Sequence, residues 1–559
     1  VRTLRLPLIL LVAGVAAILF FVYQFIPRST VLVPAEGGTY REGVVGAPQA
    51  INPLLCPPTS VDFDLCRLVF RGLTRLDPAS GEVVPDLADV SVDNQLSYTA
   101  RIRANAAWQD GAPVTADDVL FTASLLADPG FPGDPALRSL WQSVRVTKID
   151  ETTVRFELTQ PFLRFIDYTT IGLLPRHVLS GTASANLEGL PFNLQQPIGN
   201  GAWRVADVKT ASGRVSSITL EPSQTYNGAK PKLARLVLQY YPSTQAMLDA
   251  YRAGDLDGMA SLSAADAPKA AAFDNLTLYS APQSRYVAFF INLRKDSGAP
   301  ALAEAPVRQA LMYALDRDAM IREALGGRGL IAHTPMPPSS WAFSRGTRVY
   351  ARDLDRARQL LINAGYEQRT ASTSAEPVWQ KDGEPIGFTL TTPDSEPLQS
   401  VAQLAAQQWR ELGVLVTVQP VRNIQRGQLQ PRQFEVALIE TLVDGDPDPY
   451  SLWHSSQADA GKNYTGWANK DADDMLTQGR TAGDRVLRFG LYGRFQEIFS
   501  EELPALPLYY PTYHYAVASR VRNVQVDNIV YASDRLRTLD QWLIATRRVL
   551  PAEATALAR

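Results

Sequence analysis

The stretch Asp444-Gly445-Asp446-Pro447-Asp448-Pro449-Tyr450 carries three carboxylates in five positions, with Trp453, Tyr464 and Trp467 close behind. Proline fixes φ and removes a backbone donor, so the two prolines hold these acids in a preorganised acidic loop. A carboxylate turned into a dry cleft favours an ammonium group, such as the amino end of a peptide, because a charge pair strengthens where water is excluded. The blander reading of the same residues is a solvated turn or a weak cation site. Aromatic side chains on strands are more often core than ligand platform, so the nearby rings carry both readings with core the commoner.

Other chemistries find less support. The chain has no Gly-x-Ser-x-Gly elbow, no His-Glu-x-x-His pair, no phosphate-binding Gly-rich Lys motif and no dinucleotide fingerprint. His177, His333, His454 and His514 are far apart in sequence. No metal or cofactor is expected, and the chain is read as a non-enzyme, with a hidden carboxylate pair of the glycosidase kind as the enzymatic alternative. Cys56 and Cys66 are the only cysteines. Outside the cytoplasm such a close pair reads as a disulfide, worth about 2–3 kcal/mol in the chain-entropy model. Free buried thiols or a metal pair are the alternatives.

These residues need a large scaffold. At 559 residues the chain exceeds one hydrophobic core, and 46% hydrophobic with 20% charged residues is ordinary globular composition. A net charge of −3 without a long basic run removes the electrostatic footprint of a nucleic-acid binder. Arg2 and Arg5 precede an apolar run from Leu6 to Ile26. As a helix this run would reach roughly 30 Å, about one hydrocarbon core. Residues 1–28 therefore read as an uncleaved signal anchor with the bulk of the chain outside, and a cleaved signal peptide is the other reading. Residues 29–42, with Pro, Gly and Ser, read as a tether, and Thr370 to Ala375 as a loop insertion.

Beyond the tether the periodicity switches between 2 and 3.6. Leu96, Tyr98, Ala100 and Ile102 alternate with polar neighbours, as does Val154-Arg155-Phe156-Glu157-Leu158, and both predict half-buried strands. Thr115 with Asp118 forms a capping-box variant that starts a helix at Ala116. Pro306 opens a helix through Val307, Ala310, Leu311 and Ala314. Asp353 caps a helix that Gly365 ends, and Leu398 to Leu412 predicts a helix stopped by Gly413 and followed by the strand Val414 to Val418. This alternation of helix and strand predicts an α/β sheet.

Several blocks occur in a fixed order: Phe70-Arg71-Gly72-Leu73-Thr74-Arg75-Leu76-Asp77, Pro85-Asp86-Leu87-Ala88, Trp108-Gln109-Asp110-Gly111-Ala112-Pro113-Val114-Thr115-Ala116-Asp117-Asp118-Val119, Pro197-Ile198-Gly199-Asn200-Gly201-Ala202-Trp203, Ala253-Gly254-Asp255-Leu256-Asp257, and Pro306-Val307-Arg308-Gln309-Ala310-Leu311. The ordered set resembles the family 5 solute-binding proteins of ABC importers, from about Gly43 to Trp542. The resemblance implies a two-lobed periplasmic-binding-protein-like α/β fold (type II, with an extra subdomain) that captures a solute by closure, without catalysis.

On that template, 43–75, 192–283 and 505–545 form lobe I, 76–191 its extra subdomain, 284–504 lobe II, and 546–559 a tail. The expected ligand is a peptide, with a sugar or metal chelate as alternative. The expected partners are ABC permease subunits, the expected state is a monomer on the extracytoplasmic face of the membrane, and a ligand sensor is the alternative role. The resemblance places the block of Asp444, Asp446 and Asp448 beside the cleft, and Trp453, Tyr464 and Trp467, which follow it in sequence, are candidate ligand contacts with it. It places Phe289 and Asn292 on the outgoing crossing between lobes, and Tyr509 and Tyr510 on the returning one. One departure stands out. Peptide-binding members often carry a Trp before the acidic block and an Asp-Tyr pair leading into it, whereas this chain reads Thr441-Leu442-Val443-Asp444-Gly445-Asp446. Asp444 or Asp446 must then take the place of the amino-terminus contact.

Overall fold

The computed structural model describes residues 13–16, 20, 30–77, 82–94, 96–159, 162, 164–370 and 377–550. The anchor assigned to 1–28 and the insertion around Thr370 to Ala375 lie largely outside them. No helix among the described residues is long and apolar enough to cross a membrane.

A twelve-stranded mixed sheet runs through both lobes, and one strand, Ala505–Ala518, belongs to each. Its first half pairs antiparallel with Arg285–Ile291 and with Gly329–Ile331. Its second half pairs with Leu276–Pro282 and Gly258–Leu262. Beyond Gly258–Leu262 the lobe I order continues through Thr39–Val45, Arg235–Tyr241, Arg214–Pro222 and Trp203–Ala211. On the lobe II side it continues from Arg285–Ile291 through Val436–Leu442 and Gly387–Pro393 to Leu415–Val421. The border expected at residue 504/505 instead falls inside the long strand. Ala505, Leu506, Leu508, Tyr509 and Tyr510 pack in the lobe II cores, whereas Tyr513, Tyr515 and Val517 pack in lobe I.

Each lobe buries both faces of its part of the sheet. In lobe II one face takes Val307, Leu311, Leu361, Val401, Ala405 and Trp409 from its helices, and the other takes Trp453, Trp467, Tyr492, Phe495 and Phe499. In lobe I the helix Thr244–Arg252 covers one face, and the other continues into the extra subdomain. That subdomain is a four-stranded antiparallel sheet, ordered Ala88–Asn94, Ser97–Ile102, Thr153–Leu158, Val144–Lys148, with the helix Ala116–Ala127 against it. Tyr98, Ala100 and Ile102 are buried while their neighbours are not, as the alternation predicts, but Leu96, just before the strand, is exposed.

Local chemistry sets the elements as read. Asp353 accepts from the Arg356 amide at 2.8 Å to start Leu354–Asn363, and Gly413 at φ 99° ends Leu398–Leu412. Asp118 does more than cap. Its Oδ2 accepts from the Thr115 amide at 2.9 Å and from the Trp108 indole at 3.2 Å, and its Oδ1 accepts from the Arg176 amide at 2.9 Å. Gln109 bonds the backbone at Gly199 and Trp203, which locks the subdomain onto lobe I. A Cβ at Gly199 would meet the Val69 carbonyl oxygen at 2.0 Å, so only glycine admits that approach. Much of the ordered block pattern thus records how subdomain and lobe are joined. Cys56 and Cys66 form the disulfide, closing a separation of ten residues onto the helix Asp62–Val69.

The stretch read as a tether differs. Val31–Ala35 pairs antiparallel with Ala545–Val549, and Thr39–Val45 is an inner strand of the large sheet. The strand reading of 545–549 likewise replaces the start of the expected tail. Pro34 is compatible with a two-stranded ribbon because its missing N–H faces no third strand.

Candidate functional site

Val436–Leu442 delivers the chain to the acidic loop, and Ser284 at the start of the outgoing crossing ties it down. The Val443 amide donates to the Ser284 carbonyl at 2.8 Å, and the Ser284 hydroxyl donates to the Val443 carbonyl at 2.6 Å. The loop then enters the seam between lobe II and the subdomain. A Cβ on Gly445 would stand 2.4 Å from Leu76 Cδ1, so the bare glycine lets the loop approach the subdomain closely.

Each aspartate meets arginine. Asp446 Oδ1 accepts from Arg488 Nη2 at 2.7 Å. Asp448, 1% exposed, lies 3.3 Å from Arg480 Nε and 4.0 Å from Arg164 Nη1, and its Oδ1 accepts from the Tyr450 amide at 3.0 Å. Asp444, half exposed, lies 3.8 Å from Arg164 Nη2 and accepts from the Tyr531 hydroxyl at 3.4 Å. Arg480 and Arg488 come from the helices Lys470–Thr481 and Arg485–Glu502 of lobe II. Arg164 and Tyr531 come from the other side of the seam. The Arg480 guanidinium lies over Tyr450 at 4.4 Å and over Phe162 of the subdomain at 5.3 Å, and Arg485 pairs with Glu82 across the same seam.

Arg164 also donates from Nε to Asp167 at 3.1 Å. Four carboxylates therefore face three guanidiniums in one cluster. Burial works against the charge on Arg164, but Asp446, Asp167, Asp448 and Asp444 outweigh it and hold the guanidinium protonated more firmly than usual. Burial pushes Asp167 up to about 6, opposed by Arg164 and reinforced by Asp446 and Asp444. Burial also raises Asp448, against the pull of Arg164 and Arg480.

The aromatic and amide candidates sit elsewhere. Phe289 is fully buried against Trp409, with ring centroids 4.9 Å apart. Trp453 stacks on Phe290 at 5.2 Å and meets Phe499 edge-on, and the Trp467 indole donates to Glu502 at 2.6 Å. Tyr464 accepts from Gln425 and lies under Arg432. Asn292 donates to the carbonyls of Arg432 and Phe434 and accepts from the Arg294 amide. Tyr509 is core, and Tyr510 donates to the Thr334 carbonyl at 2.9 Å. The structure thus brings the three aspartates together and distributes the rings and the amide through the lobe II interior. Hollows of about 520 Å³ on the subdomain sheet, beside Asp89, Ser91 and Thr99, and about 570 Å³ beside Arg294, Thr391 and Glu435, do not include the loop.

Sequence reasoning missed Arg164, Arg480, Arg488 and Tyr531. The one local signal is that Arg480 and Arg488 flank the helix break at Gly483-Asp484, where Asp484 caps the second helix. Nothing near Arg164 points to a loop 280 residues further on.

The shared strand, the two-faced lobes and the seam define a two-lobed solute-binding fold. The chain matches the model of the bacterial extracellular solute-binding proteins, family 5, over residues 82–463, and belongs to that family. It is 27% identical over 525 residues to the oligopeptide-binding protein AppA of Bacillus subtilis, covering 92% of each chain. The solved structure of that protein in complex with a nonapeptide superposes with a TM-score of 0.73 at 26% identity, covering 92% of this chain and all of that one. The dipeptide-binding protein of Escherichia coli is 26% identical over 516 residues, covering 86% of this chain and 91% of its own.

Proposed function

We propose that this chain binds peptide-class solutes between its lobes and presents the closed, loaded form to an ABC permease. The observation that carries the reading is the strand Ala505–Ala518, which passes through both lobes and gives them a common hinge, in a chain alike over nearly its whole length to a protein solved with a nonapeptide. Solute binding in such a fold shifts the population toward the closed form, and a partner that distinguishes closed from open reads that shift. No step in this cycle requires a covalent change, so grip rather than catalysis is the activity.

The seam acids and arginines form the closing surface, and Asp444 is the one loop acid with exposure left for a ligand. Residues 1–28 are proposed as a signal anchor that keeps the binder beside its permease on the extracytoplasmic face, and the protein as a monomer. Intact mass of the membrane-extracted protein tests the anchor, and loss of about 30 residues overturns it. Binding is tested by thermal unfolding of the purified full chain across a defined peptide library. A ligand at 100 times its Kd stabilises by about 2.7 kcal/mol. Absence of a shift with every peptide, together with no peptide recovered by native mass spectrometry, overturns the peptide reading.

A further inference from the structure

We propose that Arg164 is a built-in counter-cation for the aspartate loop, so that the solute selected here lacks a free ammonium group next to the loop: an N-blocked or cyclic peptide, or another solute without a primary amine. The inference rests on the peptide reading of the cleft and deepens it by naming the ligand class.

Three observations support it. First, each loop carboxylate already has a partner: Arg488 on Asp446, Arg480 on Asp448, and Arg164 with Tyr531 on Asp444. Second, the cation between Asp444 and Asp448 comes from across the seam. Arg164 is 15% exposed, lies within 3.8 Å of one and 4.0 Å of the other, and is oriented by the 3.1 Å bond from its Nε to Asp167. A guanidinium fixed in this way occupies the region that an incoming ammonium group requires, and like charges placed together repel. Third, the most exposed loop acid, Asp444, is one that Arg164 already faces. Asp444 is half exposed, whereas Asp448 and Asp446, 1% and 16% exposed, face Arg480 and Arg488. Both of these loop carboxylates already face a guanidinium of lobe II.

Arg164 therefore acts on specificity through the loop it neutralises. An ammonium-bearing ligand has to expel a guanidinium that faces Asp167, Asp444 and Asp448. A ligand with a blocked amino end has only to fit beside it.

Two measurements on the full chain decide the matter. Titration calorimetry compares peptides of one sequence, free and N-acetylated, on the wild type, Arg164→Met and Arg164→Lys. The expected result is that the acetylated form binds the wild type at least as tightly as the free one. Arg164→Met shifts the preference tenfold or more toward the free amine, and Arg164→Lys retains the wild-type order. A wild type that binds the free amine tenfold tighter overturns the counter-cation while leaving the peptide reading intact, and it does so whether or not the variants fold. The second measurement needs no ligand: hydrogen exchange of residues 444–450 in the unliganded protein. Exchange there is expected to quicken at least tenfold in Arg164→Met and in high salt, and unchanged exchange under both overturns the proposal. If no peptide binds any form but exchange responds as expected, the counter-cation stands and the peptide reading falls.

Discussion

Two arginines in this molecule sit between carboxylates, and they do opposite jobs. Arg535 is wholly buried inside lobe I, donating to Glu42 at 3.0 and 2.5 Å and to Asp64 at 2.5 Å, with Tyr40 and Tyr515 closing the ring around Glu42. Arg164 sits at the seam, 15% exposed, with its loop partners at 3.8 and 4.0 Å and Asp167 at 3.1 Å. The first cluster joins parts of one body: the strand Thr39–Val45, the helix Asp62–Val69 and residues near the C-terminus. The second joins two bodies that a binder must part. Short bonds in a dry interior make a permanent joint, while longer charge contacts at a partly exposed seam make one that ligand and salt can shift.

Replacement of Arg535 tests the permanent joint most severely. Arg535→Met strands two buried carboxylates and is expected to cost about 3–5 kcal/mol, read as a fall in the urea midpoint. A loss under about 1 kcal/mol would erase the contrast with the seam. Next in size, removing the disulfide with Cys56→Ser and Cys66→Ser together should cost about 2–3 kcal/mol by the same measurement, because it frees the helix that carries Asp64. Arg164→Met should alter global stability by about 1 kcal/mol or less, since its loop contacts are lost on opening in any case. A larger loss would make the seam a second permanent joint.

The smallest effect is one of acidity. Asp167 is pushed up to about 6 from 3.8, mainly by burial, with Arg164 opposing and Asp446 and Asp444 reinforcing the rise, and Tyr98 and Tyr168 nearby. Where the open seam leaves this carboxyl hydrated, closure takes up a proton between about pH 4 and 6. The sign follows: closure is favoured at acid pH and loses that contribution as pH rises through about 6. Hydrogen exchange of residues 444–450 across that range should show the slope, and Asp167→Asn should flatten it.

Elements held by local rules were legible in the sequence. The helices Leu354–Asn363 and Leu398–Leu412 begin and end where their caps and apolar spacing put them, the helix Ala116–Ala127 begins where its capping box does, and Tyr98, Ala100 and Ile102 of the strand Ser97–Ile102 are buried as predicted. What stayed hidden depends on distant partners. Val31–Ala35 becomes a strand only because Ala545–Val549 lies beside it, and no local pattern among Pro, Gly and Ser announces that. The acidic loop was visible as chemistry but not as geometry. Three aspartates can be counted in a sequence, whereas the convergence of Arg164, Arg480 and Arg488 on them comes from tertiary folding. The rings of Trp453, Trp467 and Phe289 show the same limit, because periodicity does not distinguish a core face from a cleft face.

The strand Ala505–Ala518 also bears on how this molecule can be divided. Its first half completes the lobe II sheet although the chain returns to lobe I before and after the bulk of that lobe. A fragment spanning 284–504 would therefore be synthesised without an inner member of its own sheet, with the edge of Arg285–Ile291 left bare and prone to pair with other chains. Translation must pass Ala505–Ala518 before either half is whole, so the two jaws mature together and neither can be inherited or exchanged as a self-sufficient module.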